Sequence, residues 1–327
     1  MSMIRSCEVV VVAMMTLAPR PAAATAPSLV VALDASVGQL PESITTDHAG
    51  NIYLSMGTTI GKVSPAGVLS TFAEIPIAAG SFVTGLKFGP DGNLYAGSAG
   101  FGPDPAVAFV WQVSPDGVDI EAFATLDPNG FPNDLAFDDE GDLYVTDPFL
   151  GLIWKIGADG VPDVWLADPL LEANFAAPYL IVAPFGVDGI AFDRNKDNLY
   201  VGNLDRGTIV KIPVSDGEAG TPAVWANDYA LLGGVDGIAF DREGTLWCAV
   251  NGQDRLVSIS RLGVKTTVAQ GGLLDAPSSL VFGATPSTLT SLYVSSFAIN
   301  RVLGTQSGTP HPALSKIVVN RPGEPLP

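Results

Sequence analysis

The stretch VDGIAFDREGTLWCAVNGQDRLVSIS, residues 235–260, contains the pattern that decides the fold. It opens with a polar residue, Asp236, followed by a small residue and a short apolar run. A turn rich in Asp, Glu and Gly then leads to a second apolar run that begins with Trp247. Short apolar runs separated by such turn residues are typical of consecutive antiparallel β-strands.

The same pattern occurs six times along the chain. Its copies begin at Glu42, Thr84, Asn133, Asp188, Asp236 and Ser278. The intervals between copies are 42, 49, 55, 48 and 42 residues, and each unit contains about four strand-like runs. Four-stranded units repeated at about 40–50 residues are typical of β-propellers. We therefore predict an all-β fold, a six-bladed β-propeller with four-stranded antiparallel blades.

The two ends of the propeller sequence are predicted to close the ring. The sixth repeat supplies a third strand at Ser315 to Asn320 but has no fourth strand of its own, whereas Ser28 to Asp34 resembles a fourth strand without a blade. An open ring would expose two sheet edges. We expect the N-terminal strand to complete the last blade.

Composition limits the classes of partner. The chain has 327 residues, of which 47% are hydrophobic and 15% charged, and this excludes a disordered protein. Sixteen basic residues against 34 acidic ones give a net charge of −18. Such a charge opposes binding to nucleic acids and anionic membranes. We expect a monomer that acts on a small molecule and binds no nucleic acid.

The N-terminal region has the three parts of a secretory signal peptide. After a short basic start, Cys7 to Ala18 is apolar, and small residues then offer cleavage sites after Ala24 or Ala26. The apolar run is shorter than a membrane-spanning helix requires. We expect residues 1–26 to be removed and residues 27–327 to form one secreted or periplasmic propeller domain without membrane attachment. An uncleaved anchor or a buried strand is the alternative.

Three long connections are predicted to share one face of the propeller. They are Ala99 to Phe109, Asp168 to Val187, and Phe297 to Ala313. Long loops on a rigid scaffold commonly carry binding sites, although they can also be inert insertions. Residues 168–187 are unusually apolar, and we expect Phe175, Tyr179 and Phe185 to form one wall of a substrate pocket. A loop that merely covers the seam between two blades is the alternative.

The first residues of the repeats are predicted to point towards the central channel on that face. Glu42, Asp188 and Asp236 would then meet the amide of Asn133. Converging carboxylates repel one another, and at least one should have a raised pKa. A divalent cation would relieve the repulsion, and ligands that are all oxygen favour Ca²⁺ over Zn²⁺. Polar lining of a water-filled tunnel is the alternative.

Other polar residues fall on the same face. Thr84 begins the second repeat, and Asp147, Asn203 and Asn251 end second strands. We predict that these four residues contact the substrate or support the residues that do. Hydrogen bonds that terminate strands would explain the last three equally well.

At these residues the chain resembles the gluconolactonases and regucalcins, the SMP-30/LRE-like propellers, to which diisopropyl fluorophosphatase and paraoxonase are related. Residues 235–260 look like the fifth-blade segment P-D-G-x-x-x-D-x-x-G-x-L-W-V-A of that family, and FPNDLAFDDEGDLY from Phe131 is similar to its third-blade segment. The resemblance implies a six-bladed propeller with a divalent metal in the channel. The ligands it implies are Glu42, Asn133, Asp188 and Asp236.

The resemblance also implies a reaction. It points to a Ca²⁺-dependent hydrolase of a lactone, ester or phosphoester, with Asp236 or Asp188 as general base or nucleophile. The family usually has Asn in the fourth blade, whereas this chain has Asp188. The extra negative charge should tighten cation binding and weaken Lewis acidity. The alternatives are a non-catalytic propeller that binds a small molecule or a protein around a structural metal, and a lyase or cyclase on the same scaffold.

Overall fold

A computed structural model describes residues 24–78, 80–101, 108–174 and 184–326 of the chain. In these ranges the strands form six antiparallel sheets, each built around four strands, and the sheets are the blades of a β-propeller. The predicted all-β, six-bladed fold is confirmed. The fourth blade carries an additional two-residue strand that pairs with its third strand. None of the helices in the described ranges has the length and apolar character needed to cross a bilayer.

The strands follow one another blade by blade. The chain begins with β1 (Ser28–Ala32), and the first blade contains β2 (Pro41–Thr46), β3 (Ile52–Met56), β4 (Thr59–Val63) and β5 (Leu69–Glu74). The second contains β6 (Ser81–Phe88), β7 (Leu94–Gly100), β8 (Phe109–Val113) and β9 (Ile120–Thr125). The third contains β10 (Leu135–Phe137), β11 (Leu143–Asp147), β12 (Leu152–Ile156) and β13 (Pro162–Ala167).

The second half of the chain continues this order. The fourth blade contains β14 (Val187–Phe192), β15 (Asn198–Asn203), β16 (Thr208–Ser215), β17 (Glu218–Ala219) and β18 (Ala223–Asn227). The fifth contains β19 (Val235–Phe240), β20 (Leu246–Val250), β21 (Arg255–Ile259) and β22 (Lys265–Gln270), and the sixth contains β23 (Pro277–Phe282), β24 (Ser291–Ser296) and β25 (Ala313–Val318). Short helices are α1 (Tyr229–Leu232), α2 (Ile299–Val302) and two 3₁₀ turns, Ala35–Val37 and Asn251–Gln253.

The ring closes as predicted. Strand β1 pairs antiparallel with β25, with Ser28 opposite Lys316 and Ala32 opposite Ala313. The sixth blade therefore has the strand order β1-β25-β24-β23. Strand β25 begins and ends two residues earlier than the sequence suggested. Thr25 extends the contact, because its backbone N–H donates to the Val318 carbonyl at 2.9 Å.

The aromatic residue of each repeat packs between neighbouring blades. Tyr144 of the third blade meets Phe192 of the fourth edge to face, with ring centroids 5.2 Å apart. Tyr200 meets Phe240 of the fifth blade in the same way, at 4.9 Å. Aromatic pairs bury large areas in a defined geometry. This explains why Tyr or Trp occurs near the start of each second strand. The repeat in the sequence is thus a repeat of blade-to-blade contacts.

The short turns between first and second strands are built on aspartate. Asp241, which is fully buried, accepts hydrogen bonds from the backbone N–H groups of Glu243 and Thr245 and from the indole of Trp247. Asp138 does the same for Glu140, Asp142 and Tyr144 in the third blade. These turns lie on the face opposite the long loops. We call the two sides the turn face and the loop face.

Candidate functional site

A cavity of about 300 Å³ lies on the loop face at the mouth of the channel. Its polar lining comes from Glu42, Asn133, Asp188, Asp236 and Asn251. The rest of its lining is almost entirely apolar and comes from several blades: Leu40, Phe82, Val83, Phe101, Phe131, Phe185, Leu204, Phe297, Ile299 and Leu303. The structure therefore brings the four predicted ligands to one cavity. We call Glu42, Asn133, Asp188 and Asp236 the polar cluster.

Irregular strand pairing aims three of these side chains at the axis. Glu42, Asp188 and Asp236 are each the second residue of an innermost strand. The pairing register shifts at each of them, between Val187 and Ile190 in the case of Asp188. Such bulges turn a side chain away from the regular pleat. The polar residue of the repeat thus faces the channel because the strand is deformed there.

The small residue that follows in the repeat lets the inner strands approach one another. A Cβ atom on Gly189 would lie 2.2 Å from the Asp236 carbonyl oxygen, and one on Gly85 would lie 2.2 Å from that of Asn133. Glycine is required at such approaches because no larger residue fits. The Gly85 N–H also donates to the Asn133 carbonyl at 2.6 Å, which fixes Asn133 ahead of β10.

The carboxylates of the polar cluster are poorly compensated. Burial, followed by the neighbouring charges of Asp188 and Asp134, raises the pKa of Glu42 well above its usual value. Burial and then Asp134 raise the pKa of Asp188, and burial, Asp188 and Glu42 raise that of Asp236. Glu42 Oε2 is buried and has no hydrogen-bond partner among the described residues. Within that part of the chain, the cluster therefore lacks a counter-charge.

The donor set of the polar cluster suits a hard cation. Carboxylate and amide oxygens are the ligands that Ca²⁺ prefers, and the unpartnered Glu42 Oε2 is an oxygen for which a cation would provide a partner. As they stand, no three His, Cys, Asp or Glu side chains in the described ranges lie close enough to share one ion. Binding would require the carboxylates to move inwards.

Hydrogen bonds from a loop-face helix reach the polar cluster. The Asn251 amide donates to Asp236 Oδ2 at 3.2 Å, and the Asn300 amide of α2 donates to Asn251 Oδ1 at 3.1 Å. The next residue, Arg301, forms ion pairs with the buried carboxylates of Asp254 and Asp275. The predicted role of Asn251 near the cluster thus has a geometric basis. Asn300 and Arg301 were missed, because they belong to no repeat.

Asp134 was also missed, although it lies next to Asn133. It accepts from the Leu135 and Ile190 backbone N–H groups at 2.9 and 3.1 Å. Burial raises its pKa, and the charge of Lys87 on β6 opposes that rise. Asp134 adds negative charge behind the polar cluster. An acidic residue immediately before an apolar strand was the available signal.

Several predicted substrate-binding residues do not line this cavity. The Thr84 hydroxyl donates to the Pro132 carbonyl, and Asp147 accepts from the Phe131 N–H and the Trp154 indole. The Asn203 amide donates to two carbonyls of the segment that precedes the fourth blade. These contacts organise loops and strand ends. Contacts between these three residues and the substrate remain a prediction, and none of the three lines the cavity.

The apolar wall was predicted in part. Phe185 lines the cavity, and its backbone N–H donates to Asp205 Oδ2 at 3.0 Å. Asp205 Oδ2 also accepts from the N–H of Asn174, whereas Asp205 Oδ1 is buried and has no partner in the part of the chain that the structure describes. Phe175 and Tyr179 lie outside the described residues. The sequence did not suggest the other phenylalanines of the wall, which come from different blades.

The fold and cavity define a class: a six-bladed β-propeller with acidic residues at the mouth of its channel. Residues 180–298 match the family model of the SMP-30/Gluconolactonase/LRE-like region, and this segment contains Asp188 and Asp236. The resemblance to gluconolactonase-like and regucalcin-like propellers is thereby confirmed. Glu42 and Asn133 lie outside the matched segment.

Comparison with individual proteins agrees with this family. The gluconolactonase of Zymomonas mobilis is 27% identical over 209 residues, which cover 54% of this chain and 52% of that protein. The match thus spans about half the length of that curated relative. Regucalcin from Agrobacterium tumefaciens, described as a calcium-binding protein, has a TM-score of 0.66 at 15% identity, covering 88% of this chain and 93% of that one. A luciferin-regenerating enzyme has a TM-score of 0.65 at 18% identity, covering 92% and 98%. At these identities the solved structures establish the fold alone.

Proposed function

We propose that the protein is a hydrolase of a lactone, ester or phosphoester that works with a divalent cation, Ca²⁺ being the expected ion. The observation that carries this proposal is the polar cluster, in which three carboxylates with raised pKa values face one cavity without a counter-charge. Similarity to gluconolactonases supports the hydrolytic chemistry. The apolar wall supports a substrate with an apolar part.

Each residue of the cluster would have a distinct task. Glu42, Asn133 and Asp188 would hold the cation, with Asp236 as the fourth ligand or the base. When bound, the cation would polarise the carbonyl or phosphoryl oxygen of the substrate. The Asn251 amide donates a hydrogen bond to Asp236 Oδ2, so Asp236 Oδ1 is the oxygen that would accept a proton from the attacking water. Positive charge nearby would lower the pKa of Asp236 and keep it ionised.

Export and a monomeric state also belong to this proposal. The contact of Thr25 with Val318 supports cleavage after Ala24 rather than Ala26, because the later cut would remove Thr25 from the sixth blade. Sequencing the N-terminus of the protein recovered from the periplasm or the medium tests the site. A protein that keeps residues 1–24 in that fraction would contradict it.

The decisive experiment measures hydrolysis of a panel of lactones, esters and phosphoesters after treatment with a chelator and after addition of Ca²⁺. We expect activity to disappear and to return. Asp236→Asn should lower kcat by at least about a hundredfold, in keeping with the loss of a general base. Asp163→Asn, on an exposed strand, is the matched control and should leave activity unchanged.

Two outcomes would contradict the proposed hydrolase. Hydrolysis that continues at the same rate after treatment with a chelator would show that the reaction does not need the cation. Calorimetric Ca²⁺ binding, abolished by Asp188→Asn but accompanied by no turnover of any panel substrate, would favour the non-catalytic propeller.

A further inference from the structure

One side of the cavity is built from phenylalanine rings. Phe82, Phe101, Phe131 and Phe185 line the cavity, and Phe149 packs against the last three of them. We call these five residues the phenylalanine cluster. Phe131 lies at its centre, with its ring centroid 4.8 Å from that of Phe149 and 5.2 Å from that of Phe185. The residues come from the second blade, the third blade and the loop before the fourth. The rings therefore form a continuous aromatic surface across two blade boundaries.

The cluster is buried at one end and open at the other. Phe131 is 3% exposed, whereas 54% of Phe101 is exposed to solvent. The centroid of Phe101 lies 5.7 Å from that of Phe131, so the exposed ring is continuous with the buried one. An exposed apolar surface that continues into a cavity is a common feature of ligand-binding grooves.

The phenylalanine cluster adjoins the polar cluster directly. Phe131 precedes Asn133 by two residues, and Phe185 precedes Asp188 by three. All four residues line the same cavity. A ligand that places a reactive carbonyl at the polar cluster can therefore extend its hydrocarbon part over the rings.

The lining also excludes some ligands. In the described part of the chain, the cavity wall includes no Lys, Arg or His side chain, and its amide donors are Asn133 and Asn251. A carboxylate or sulfate on the ligand would meet three acidic side chains without a basic partner from the wall. The polar side chains are confined to the polar cluster and Asn251, so hydroxyls of a sugar lactone that lay over the phenylalanine rings would have no partner from those rings, and unpaired buried polar groups are costly.

We propose that the phenylalanine cluster is a subsite for an aryl group, so that the substrate is an uncharged ester or lactone with an aromatic substituent. This inference rests on the proposed hydrolase function. Hydrolysis adds water across the acyl–oxygen bond and yields a carboxylic acid and an alcohol from an ester, or one hydroxy acid from a lactone. The aryl ring takes no part in that step and contacts Phe101, Phe131 and Phe185, which line the cavity, in offset or edge-to-face geometry. The aliphatic residues Leu40, Ile299 and Leu303 of the same cavity offer no such ring contacts.

The test uses two lactones with the same ring and side chains of eight carbons, one n-octyl and one 2-phenylethyl. Their reacting carbonyls are alike, so a difference in kcat/KM reports on the side chain. We expect the phenylethyl lactone to be favoured about fivefold to tenfold, the range of one or two aromatic contacts. Equal kcat/KM values would overturn the subsite.

Variants locate the effect. Phe185→Leu and Phe101→Leu, both at residues that line the cavity, should remove most of the aryl preference while leaving the octyl lactone within about twofold. Phe101→Leu does not threaten folding, because that side chain is half exposed. Ile299→Ala should weaken both substrates alike, and Leu262→Ala, on an exposed turn, should affect neither. An aryl preference that survives both Phe variants would contradict the assignment.

A binding measurement separates the subsite from the hydrolase. The matching lactams, which carry the same side chains on an amide ring, can be titrated by calorimetry in the presence of Ca²⁺. Tighter binding of the phenylethyl lactam, lost in Phe185→Leu, supports the subsite even if no lactone is hydrolysed. Rapid hydrolysis of gluconolactone with no discrimination between the two lactams would refute the subsite and leave the hydrolase intact.

Discussion

The two faces of this propeller use the same residue type in opposite ways. On the turn face, Asp241 accepts three hydrogen bonds, two from backbone N–H groups at 2.9 Å and one from the Trp247 indole at 3.0 Å. On the loop face of the same blade, Asp236 accepts one, at 3.2 Å. Both residues belong to the repeat. A buried carboxylate that is saturated with donors stabilises the fold, whereas one without them is available to a ligand.

The same contrast holds between blades. Asp138 on the turn face has three donors, one of which is the hydroxyl of Tyr144, whose pKa rises through burial and the nearby charge of Asp138. Asp188, which is 2% exposed, has the Asn133 amide as its donor. Removing a carboxylate should therefore have opposite effects on stability at the two faces.

Asp241→Ala should have the largest effect of the changes considered. It leaves the Trp247 indole and two backbone N–H groups without their acceptor, and we expect the free energy of unfolding to fall by about 3 kcal/mol. Denaturant unfolding followed by tryptophan fluorescence measures this loss. Asp163→Ala, on the surface, should change the value by less than about 0.5 kcal/mol. If the two substitutions cost the same, the turn aspartates do not stabilise the fold in this way.

Asp188→Asn should act in the opposite direction. In the presence of a chelator at pH 8 it removes a buried charge that neighbouring carboxylates repel, and we expect a gain of about 2 kcal/mol. The pKa of Asp188 is raised in the folded protein, so the folded state is more stable when this carboxyl is protonated. The gain in stability from Asp188→Asn should therefore shrink as the pH falls towards 5. Adding Ca²⁺ should then stabilise the parent protein but not the variant. A loss of stability in chelator would show that Asp188 is already satisfied.

Much of this contrast was readable in the sequence, because the repeat imposes it. Their shared place in the repeat put Glu42, Asn133, Asp188 and Asp236 at equivalent positions, although the intervals vary from 42 to 55 residues, and rotational repetition then requires them to face the same axis. Sequence does not show how many donors reach each carboxylate. Asp236 lies at a strand bulge and Asp241 lies in a turn, but in the sequence each is an aspartate near one end of a short strand. The three-dimensional structure is needed to distinguish the two.

Asp205 is an intermediate case. Two backbone N–H groups bond its Oδ2, its Oδ1 has none, and burial raises its pKa to about 6. Because the unfolded value is lower, the folded protein binds the extra proton between about pH 4 and pH 6, so stability should fall as pH rises through that window. We expect a loss on the order of 1 kcal/mol after allowing for solvent screening.

Chemical denaturation of the parent and of Asp205→Asn at pH 4, 5, 6 and 7 measures this dependence. The amide keeps an acceptor for both N–H groups, so the variant should lose the slope assigned to Asp205 and keep its fold. If stability depends on pH in the same way in both proteins, a group other than Asp205 is responsible for the dependence.

The smallest expected effect concerns α2. Asn300→Ala frees the Asn251 amide that donates to Asp236, and we expect Ca²⁺ affinity to fall about fivefold, less than for a direct partner of a ligand. Calorimetric titration measures the affinity. Thr305→Ala, whose hydroxyl bonds only the Asn300 carbonyl among the described contacts, is the control. Equal affinities in the parent and Asn300→Ala would make this hydrogen-bond chain structural.

Apart from Phe185, the cavity residues that lie outside the repeat were not predicted from the sequence. Asn300 and Phe101 lie on loops whose lengths differ from blade to blade, so no equivalent position indicates where they point. Phe82 and Phe131 looked like ordinary apolar residues beside strands. Their convergence depends on how adjacent blades are rotated, a property of the assembled ring that local patterns do not contain.

The pairing of β1 with β25 has a consequence for the order of folding. The Ser28 hydroxyl bonds the Lys316 carbonyl across 288 positions of sequence, and closing so long a loop costs about 5 kcal/mol of chain entropy. Blades formed from contiguous sequence can assemble earlier, whereas the sixth must wait until both ends of the chain meet. The Ser278 hydroxyl bonds the Pro41 carbonyl at 3.1 Å, next to Glu42. Glu42 therefore joins Asp236 only when the circle is completed, so the appearance of activity during refolding would time that last event.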